Sequence, residues 1–207
     1  MDPLYVSVIG AGQCEAAERA LAEEVGRLVA KEGATLVCGG LGGVMEAAAR
    51  GAKEAGGVTI GILPGHSRST ANPHIDHVIT TGLGHARNLA VVSSGDAVIA
   101  IGGRYGTLSE IGLAATIGRP VVILGGWRLQ NEEGTGGIWY AGTPAEAIAL
   151  VRAALEHPAL WREEQSRDER NRDERDRGAP GHDALGPSEQ GPEEPGREEP
   201  LGRPDPT

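Results

Sequence analysis

Between Ala100 and Ala114 the chain reads AIGGRYGTLSEIGLA. An apolar run ends in Gly102-Gly103, a third glycine follows at Gly106, and Thr107-Leu108-Ser109-Glu110 opens an apolar stretch with helical spacing. Glycines placed there bring backbone N–H groups close to a ligand, and the start of the next helix favours an anion. Two other clusters share this form. Gly10 and Gly12 follow the apolar run Tyr5–Ile9, and Gly39, Gly40, Gly42 and Gly43 follow Ala34–Cys38. Together the three loops predict a site for a phosphate-bearing ligand. They are not a dinucleotide fingerprint: Glu15 stands at the third glycine position of the first loop, and no acidic residue ends the second strand to hold a ribose. An ordinary ATPase would need a Gly-Lys-Ser/Thr sequence, which the chain lacks.

Glu110 stands three residues after Thr107, the spacing of a capping box. The same spacing recurs at Thr143-Pro144-Ala145-Glu146, where proline suits the first helical position and no glycine loop precedes, so Glu146 is read as structural. At Glu110 the helix starts on a glycine loop, and the carboxylate reads equally as a cap or as a group facing the ligand. Arg87, in GLGHARNLAVVSSGD, begins a predicted helix just before the strand ending at Ile101. Its guanidinium fork suits phosphate or carboxylate oxygens. Arg104, at the tip of the glycine loop, reads as a phosphate contact or as a solvent-exposed side chain.

The elements that must position these residues alternate. Strands are predicted at Tyr5–Ile9, Ala34–Cys38, Val58–Leu63, Val78–Thr80, Ala97–Ile101 and Val121–Leu124. Helices are predicted at Glu15–Glu32, Val44–Ala55, His85–Ser94, Thr107–Ile117 and Thr143–Glu156. Strands that are apolar nearly throughout, separated by helices, belong to a mainly parallel sheet covered on both faces. The predicted fold is therefore α/β, a Rossmann-like open sheet whose ligands sit outside the carboxyl ends of the strands. The predicted domain spans residues 1–161. Residues 162–207 are rich in Pro, Gly, Glu and Arg with almost no large apolar residue, and read as a disordered tail.

The formal net charge of −10 argues against bulk nucleic-acid binding. No apolar stretch reaches membrane-spanning length, and Met1-Asp2-Pro3 opens no secretory signal, so a cytoplasmic protein is expected. Cys14 and Cys38 lie at no metal-ligand spacing. His66, Pro73-His74-Ile75-Asp76-His77 and His85 read as a polar loop region without a metal site. Met45 reads as core. Gly125–Gly137 reads as a flexible flap, with Trp127 and Trp139 at the domain edge. IGLAATIG, apolar nearly all round, reads as a helix buried in the fold or packed on a partner.

GGLGGVMEAAARGA, followed by ARN and DAVIAIGGRYGTLSE, resembles the Lonely Guy (LOG) family of Rossmann-like proteins, long mislabelled lysine decarboxylases. The resemblance covers about residues 4–155. It implies hydrolysis of nucleoside 5′-monophosphates to free base and ribose 5-phosphate with no cofactor required, Arg87 and Glu110 acting in catalysis, and Gly103, Gly106 and Thr107 in the phosphate loop. It also implies a homodimer or homotetramer. Decarboxylation would need a Schiff-base lysine, and Lys31 and Lys53 fall on predicted helices away from the loops. The chain departs from the family pattern at three positions: Gly102 stands where the signature has proline, Arg104 where it has its second glycine, and Asn88 where the enzymes have lysine. These departures resemble a sister group that includes the molybdenum cofactor carrier proteins, which implies the molybdenum cofactor, a phosphorylated pterin, as bound ligand. DNA-processing protein A has a related fold, but a chain with no Phe, three Trp and three Tyr offers few stacking platforms for single-stranded DNA. Two functions stand side by side: a non-catalytic binder of a phosphorylated ligand, and a phosphoribohydrolase.

Overall fold

A computed structural model describes residues 3–129 and 137–158. The tail expected over 162–207 and most of the expected flap lie outside them. Seven strands form one sheet: β1 (Tyr5–Gly10), β2 (Thr35–Cys38), β3 (Thr59–Leu63), β4 (His77–Thr80), β5 (Ala97–Ile101), β6 (Val121–Leu124) and β7 (Ile138–Ala141). Five helices connect or flank them: α1 (Ala16–Lys31), α2 (Val44–Glu54), α3 (Arg87–Ser94), α4 (Tyr105–Thr116) and α5 (Pro144–Glu156). The strand order is β4-β3-β2-β1-β5-β6-β7, and every pairing is parallel.

Alternation along the strands divides the core in two. Val6 and Val8 of β1 and Ile99 and Ile101 of β5 face α1, α2 and α5. Ile9 of β1 and Val98 and Ala100 of β5 face α3 and α4. Both faces are buried, which explains the continuous apolar runs. Helices α1 and α2 lie unusually close. A Cβ built on Gly26 would overlap the carbonyl of Ala48, and one built on Gly51 would overlap the carbonyl of Glu23. Glu23 and Arg50 pair across the same contact.

The expected elements are present, and two details differ. β7 was not expected. Its Ile-Trp-Tyr-Ala run pairs in register with β6, Ile138 opposite Val121 and Ala141 opposite Leu124. The other difference is the start of α4, at Tyr105 and not at Thr107. Thr107 therefore lies inside the first turn, 3% exposed, its side chain filling the space where a Cβ on Gly103 would sit. It cannot cap, and Glu110 is one turn too deep to complete a capping box. α5 follows the prediction: the Thr143 hydroxyl accepts from Glu146 N at 3.2 Å, and the Glu146 carboxylate accepts from Gly142 N at 2.8 Å.

Candidate functional site

The strand order reverses at β1. The chain runs outward from β1 to β4 on one side, then returns to lay β5 on the other. The loops after β1 and β5 diverge there and open a crevice. A cavity of about 360 Å³ fills it. The loop after β2 completes the wall and is tied to the first: Val44 N donates to Ala11 O at 3.0 Å, and Gly43, at φ 66°, lies so close to Ala11 and Gly12 that a side chain would not fit.

The cavity is lined by Gly10, Gly12, Gln13, Gly39, Leu41, Met45, His85, Arg87, Asn88, Arg104, Gly106, Thr107 and Glu110, among others. Arg87, Glu110, Gly10, Gly12, Gly39, Gly106 and Thr107 are thus brought together. Gly40, Gly42, Gly43, Gly102 and Gly103 belong to the same loops but do not line the cavity. Met45 is both core and lining. Gly39 makes room for an arginine: a Cβ there would lie 2.6 Å from both terminal nitrogens of Arg87.

The three glycine loops are not equivalent. At α1 the Glu18 carboxylate accepts from Glu15 N at 3.2 Å and closes the helix start. At α2 the first amide is taken by Ala11 O. At α4 no side chain caps the helix, so its first three amides, on Tyr105, Gly106 and Thr107, have no intrahelical acceptor. The start of α4 therefore presents three backbone donors at the cavity wall formed by Arg104, Gly106 and Thr107.

Arg87 and Glu110 face each other inside the cavity, each 7% exposed. Their nearest atoms, Nη1 and Oε1, are 3.9 Å apart, an ion pair without a hydrogen bond. Arg87 Nε is buried and has no partner. Burial pulls the pKa of Arg87 below its usual value, with the Glu110 charge opposing, but an arginine remains a cation at neutral pH. Burial pushes the Glu110 carboxyl up to about 7, with Arg87 opposing. Burial also raises the Cys38 thiol to about 11, so it is no nucleophile.

The Glu110 shift has a sign that can be measured. Between pH 4.5 and about 7 the folded chain retains a proton that the unfolded chain has released, so stability falls as pH rises across that window. The full effect is on the order of 3 kcal/mol. Glu110→Gln is expected to flatten the difference between pH 5 and pH 8, read by urea denaturation of both proteins at each pH.

One positioning residue escaped sequence reading. Asn72 N donates to Gly40 O at 2.9 Å, its Nδ2 donates to Leu41 O at 2.9 Å, and its Oδ1 accepts from His74 N at 3.1 Å. It clamps the second glycine loop, and the Asn72-Pro73 turn signal was the available hint. Lys53 pairs with Asp76 at 2.8 Å, away from the cavity. Among the described residues, no group of three or more His, Cys, Asp or Glu is placed to hold a metal ion, and no helix is long and apolar enough to cross a membrane. A larger cavity of about 570 Å³ lies at the opposite end of the sheet between β1, α1 and α5, lined mostly by aliphatic side chains. It contains none of the expected site residues.

An all-parallel doubly wound sheet with a polar crevice at its switch point defines a Rossmann-like ligand-binding protein. The chain belongs to the SLOG cluster4 family, whose family model matches residues 3–148. It is 47% identical over 124 residues to an uncharacterized protein of Archaeoglobus fulgidus, covering 60% of this chain and 82% of that one. It is 36% identical over 117 residues to the cytokinin riboside 5′-monophosphate phosphoribohydrolase of Mycobacterium tuberculosis, covering 52% of this chain and 62% of that one. The molybdenum cofactor binding protein of Rippkaea orientalis matches with a TM-score of 0.70 at 38% identity, covering 75% of this chain and 99% of that one. These relatives agree with the superfamily read from the motifs.

Proposed function

We propose that the cavity binds the phosphate of a phosphorylated ring-bearing molecule, and that the chain is a binder or carrier of a pterin of the molybdenum-cofactor type. Arg87 is the observation that carries this reading. It is a buried cation with an unpartnered Nε, in the cavity that also meets the uncapped start of α4. A phosphate placed there accepts from the α4 amides and the guanidinium together. Leu41 and Met45 supply apolar wall for a ring. Similarity to the Rippkaea orientalis protein over nearly its whole length supports the choice of cargo. The test is gel filtration of the chain with isolated molybdenum cofactor, assaying pterin and molybdenum in the protein peak. Near-equimolar co-elution is expected, and an empty protein peak sinks the choice of cargo.

A second reading is favoured by Glu110, which faces the cavity instead of capping its helix. In a nucleoside 5′-monophosphate phosphoribohydrolase, cleavage of the N-glycosidic bond sends the electron pair to the base, which takes up a proton. Positive charge develops on the ribose, and water adds at C1′. An ionised Glu110 stabilises that charge or activates the water. The test is a panel of nucleoside 5′-monophosphates assayed for free base and ribose 5-phosphate beside Glu110→Ala. Release that disappears in the variant, and that rises with pH through about 7 in the parent, makes the chain this hydrolase. No release, with ligands still raising the melting temperature, leaves it a binder. We place the protein in the cytoplasm as a homo-oligomer. The free Cys14 and Cys38 support the first, and α4, with Tyr105 and Ile117 exposed at its two ends, supports the second.

A further inference from the structure

Among the described residues, three polar side chains at the mouth of the cavity have no protein partner. Arg104 and His85 are exposed and Asn88 is half-buried. All three line the cavity, and none makes an ion pair or a side-chain hydrogen bond with another described residue. The position of Arg104 is specific. It is the residue immediately before α4, in extended conformation at φ −116° and ψ −163°, two residues from Gly106 at the open amides. A group held by those amides therefore lies within reach of the Arg104 side chain. Among the described residues, Glu110 is the one acidic group lining the cavity, beside the two arginines Arg87 and Arg104. Glu110 already opposes Arg87 at 3.9 Å, so Arg104 is the lining cation left to meet a second anionic group.

We propose that Arg104, supported by Asn88 and His85, is a specificity determinant that holds a second phosphoryl group, so that the site selects diphosphate ligands over monophosphates. The inference rests on the reading of the cavity as an anion site and names the ligand class within it. The first phosphoryl group takes the α4 amides and Arg87. The second lies outward, under Arg104, where a planar fork donates two hydrogen bonds and Asn88 donates one.

The test is isothermal titration of the parent chain and of Arg104→Gly with inorganic phosphate, pyrophosphate, AMP and ADP. Arg68→Gln serves as a charge control, because Arg68 is exposed and does not line the cavity. In the parent, pyrophosphate and ADP are expected to bind about tenfold tighter than phosphate and AMP. Arg104→Gly is expected to remove that advantage while phosphate affinity changes less than threefold, and Arg68→Gln to preserve it. Equal affinities in the parent, or an advantage that survives Arg104→Gly, overturns the role of Arg104 while the anion site stands. A parent chain that binds none of the four ligands overturns the anion site itself, and this inference with it.

Discussion

Arg87→Ala is expected to reduce the affinity for inorganic phosphate or AMP at least a hundredfold. A buried guanidinium with an unsatisfied Nε has already lost its water, so a bound oxygen accepts charge-assisted hydrogen bonds at little further desolvation cost. Arg87→Lys is expected to recover only part of the loss, because an ammonium keeps the charge without the fork. Stability shifts as well. Arg87 is the charge that opposes the burial of Glu110. Without it the Glu110 pKa climbs further, and Arg87→Ala is expected to lose more stability between pH 6 and pH 8 than the parent does. Titration calorimetry measures the first effect and urea denaturation at the two pH values the second. An alanine variant that binds phosphate within twofold of the parent would show that the cavity is not an anion site.

Gly26→Ala is expected to cost about 3 kcal/mol or more of stability. The added carbon overlaps the backbone carbonyl of Ala48. A backbone atom cannot rotate aside as a side chain can, so α1 and α2 must separate. The mirror contact of Gly51 with the Glu23 carbonyl opens with it, which makes Gly51→Ala comparably costly and the pair non-additive. Gly112→Ala is the control. Gly112 lies on an exposed face of α4 with open space where the methyl goes, and there alanine is expected to stabilise by about 0.5–1 kcal/mol. Chemical denaturation of the three variants separates steric overlap from helix propensity. Because α1 and α2 carry two of the three loops that wall the cavity, Gly26→Ala is also expected to weaken ligand binding.

The sheet was legible because its central strands are mostly apolar, uninterruptedly so at Ala97–Ile101 and Val121–Leu124. β7 was not. Its four residues end a polar, glycine-rich stretch, and Trp139 and Tyr140 read as edge aromatics, although β-branched and aromatic residues between glycines are also a strand signature. The ambiguity at Glu110 was intrinsic. A Thr and a Glu three apart fit a helix cap and also two inward positions of one helix face. What decided it was the backbone of Gly103, at φ 99°, after which α4 begins two residues early. The company of Arg87 and Glu110 came from the motif resemblance, since no local spacing joins residues on separate helices. The service of Gly39 to Arg87 was likewise invisible, because it depends on a contact made only in the folded chain. Nor did spacing reveal that Glu18 closes the start of α1 and that Ala11 O takes the first amide of α2, while no side chain caps α4.

The reversal of strand order at β1 has a consequence in time. As the chain is synthesised, β1, β2 and β3 can assemble first, leaving the other edge of β1 without a neighbour until β5 emerges. At about 5–20 residues per second that edge stays open for roughly two to eight seconds, and an open apolar edge is a template for pairing with other chains. The ligand crevice does not exist in this interval, because one of its walls is the loop after β5. Ligand therefore offers the half-made chain no protection. It can only retain chains whose two halves have already joined, which makes bound ligand a mark of completed assembly.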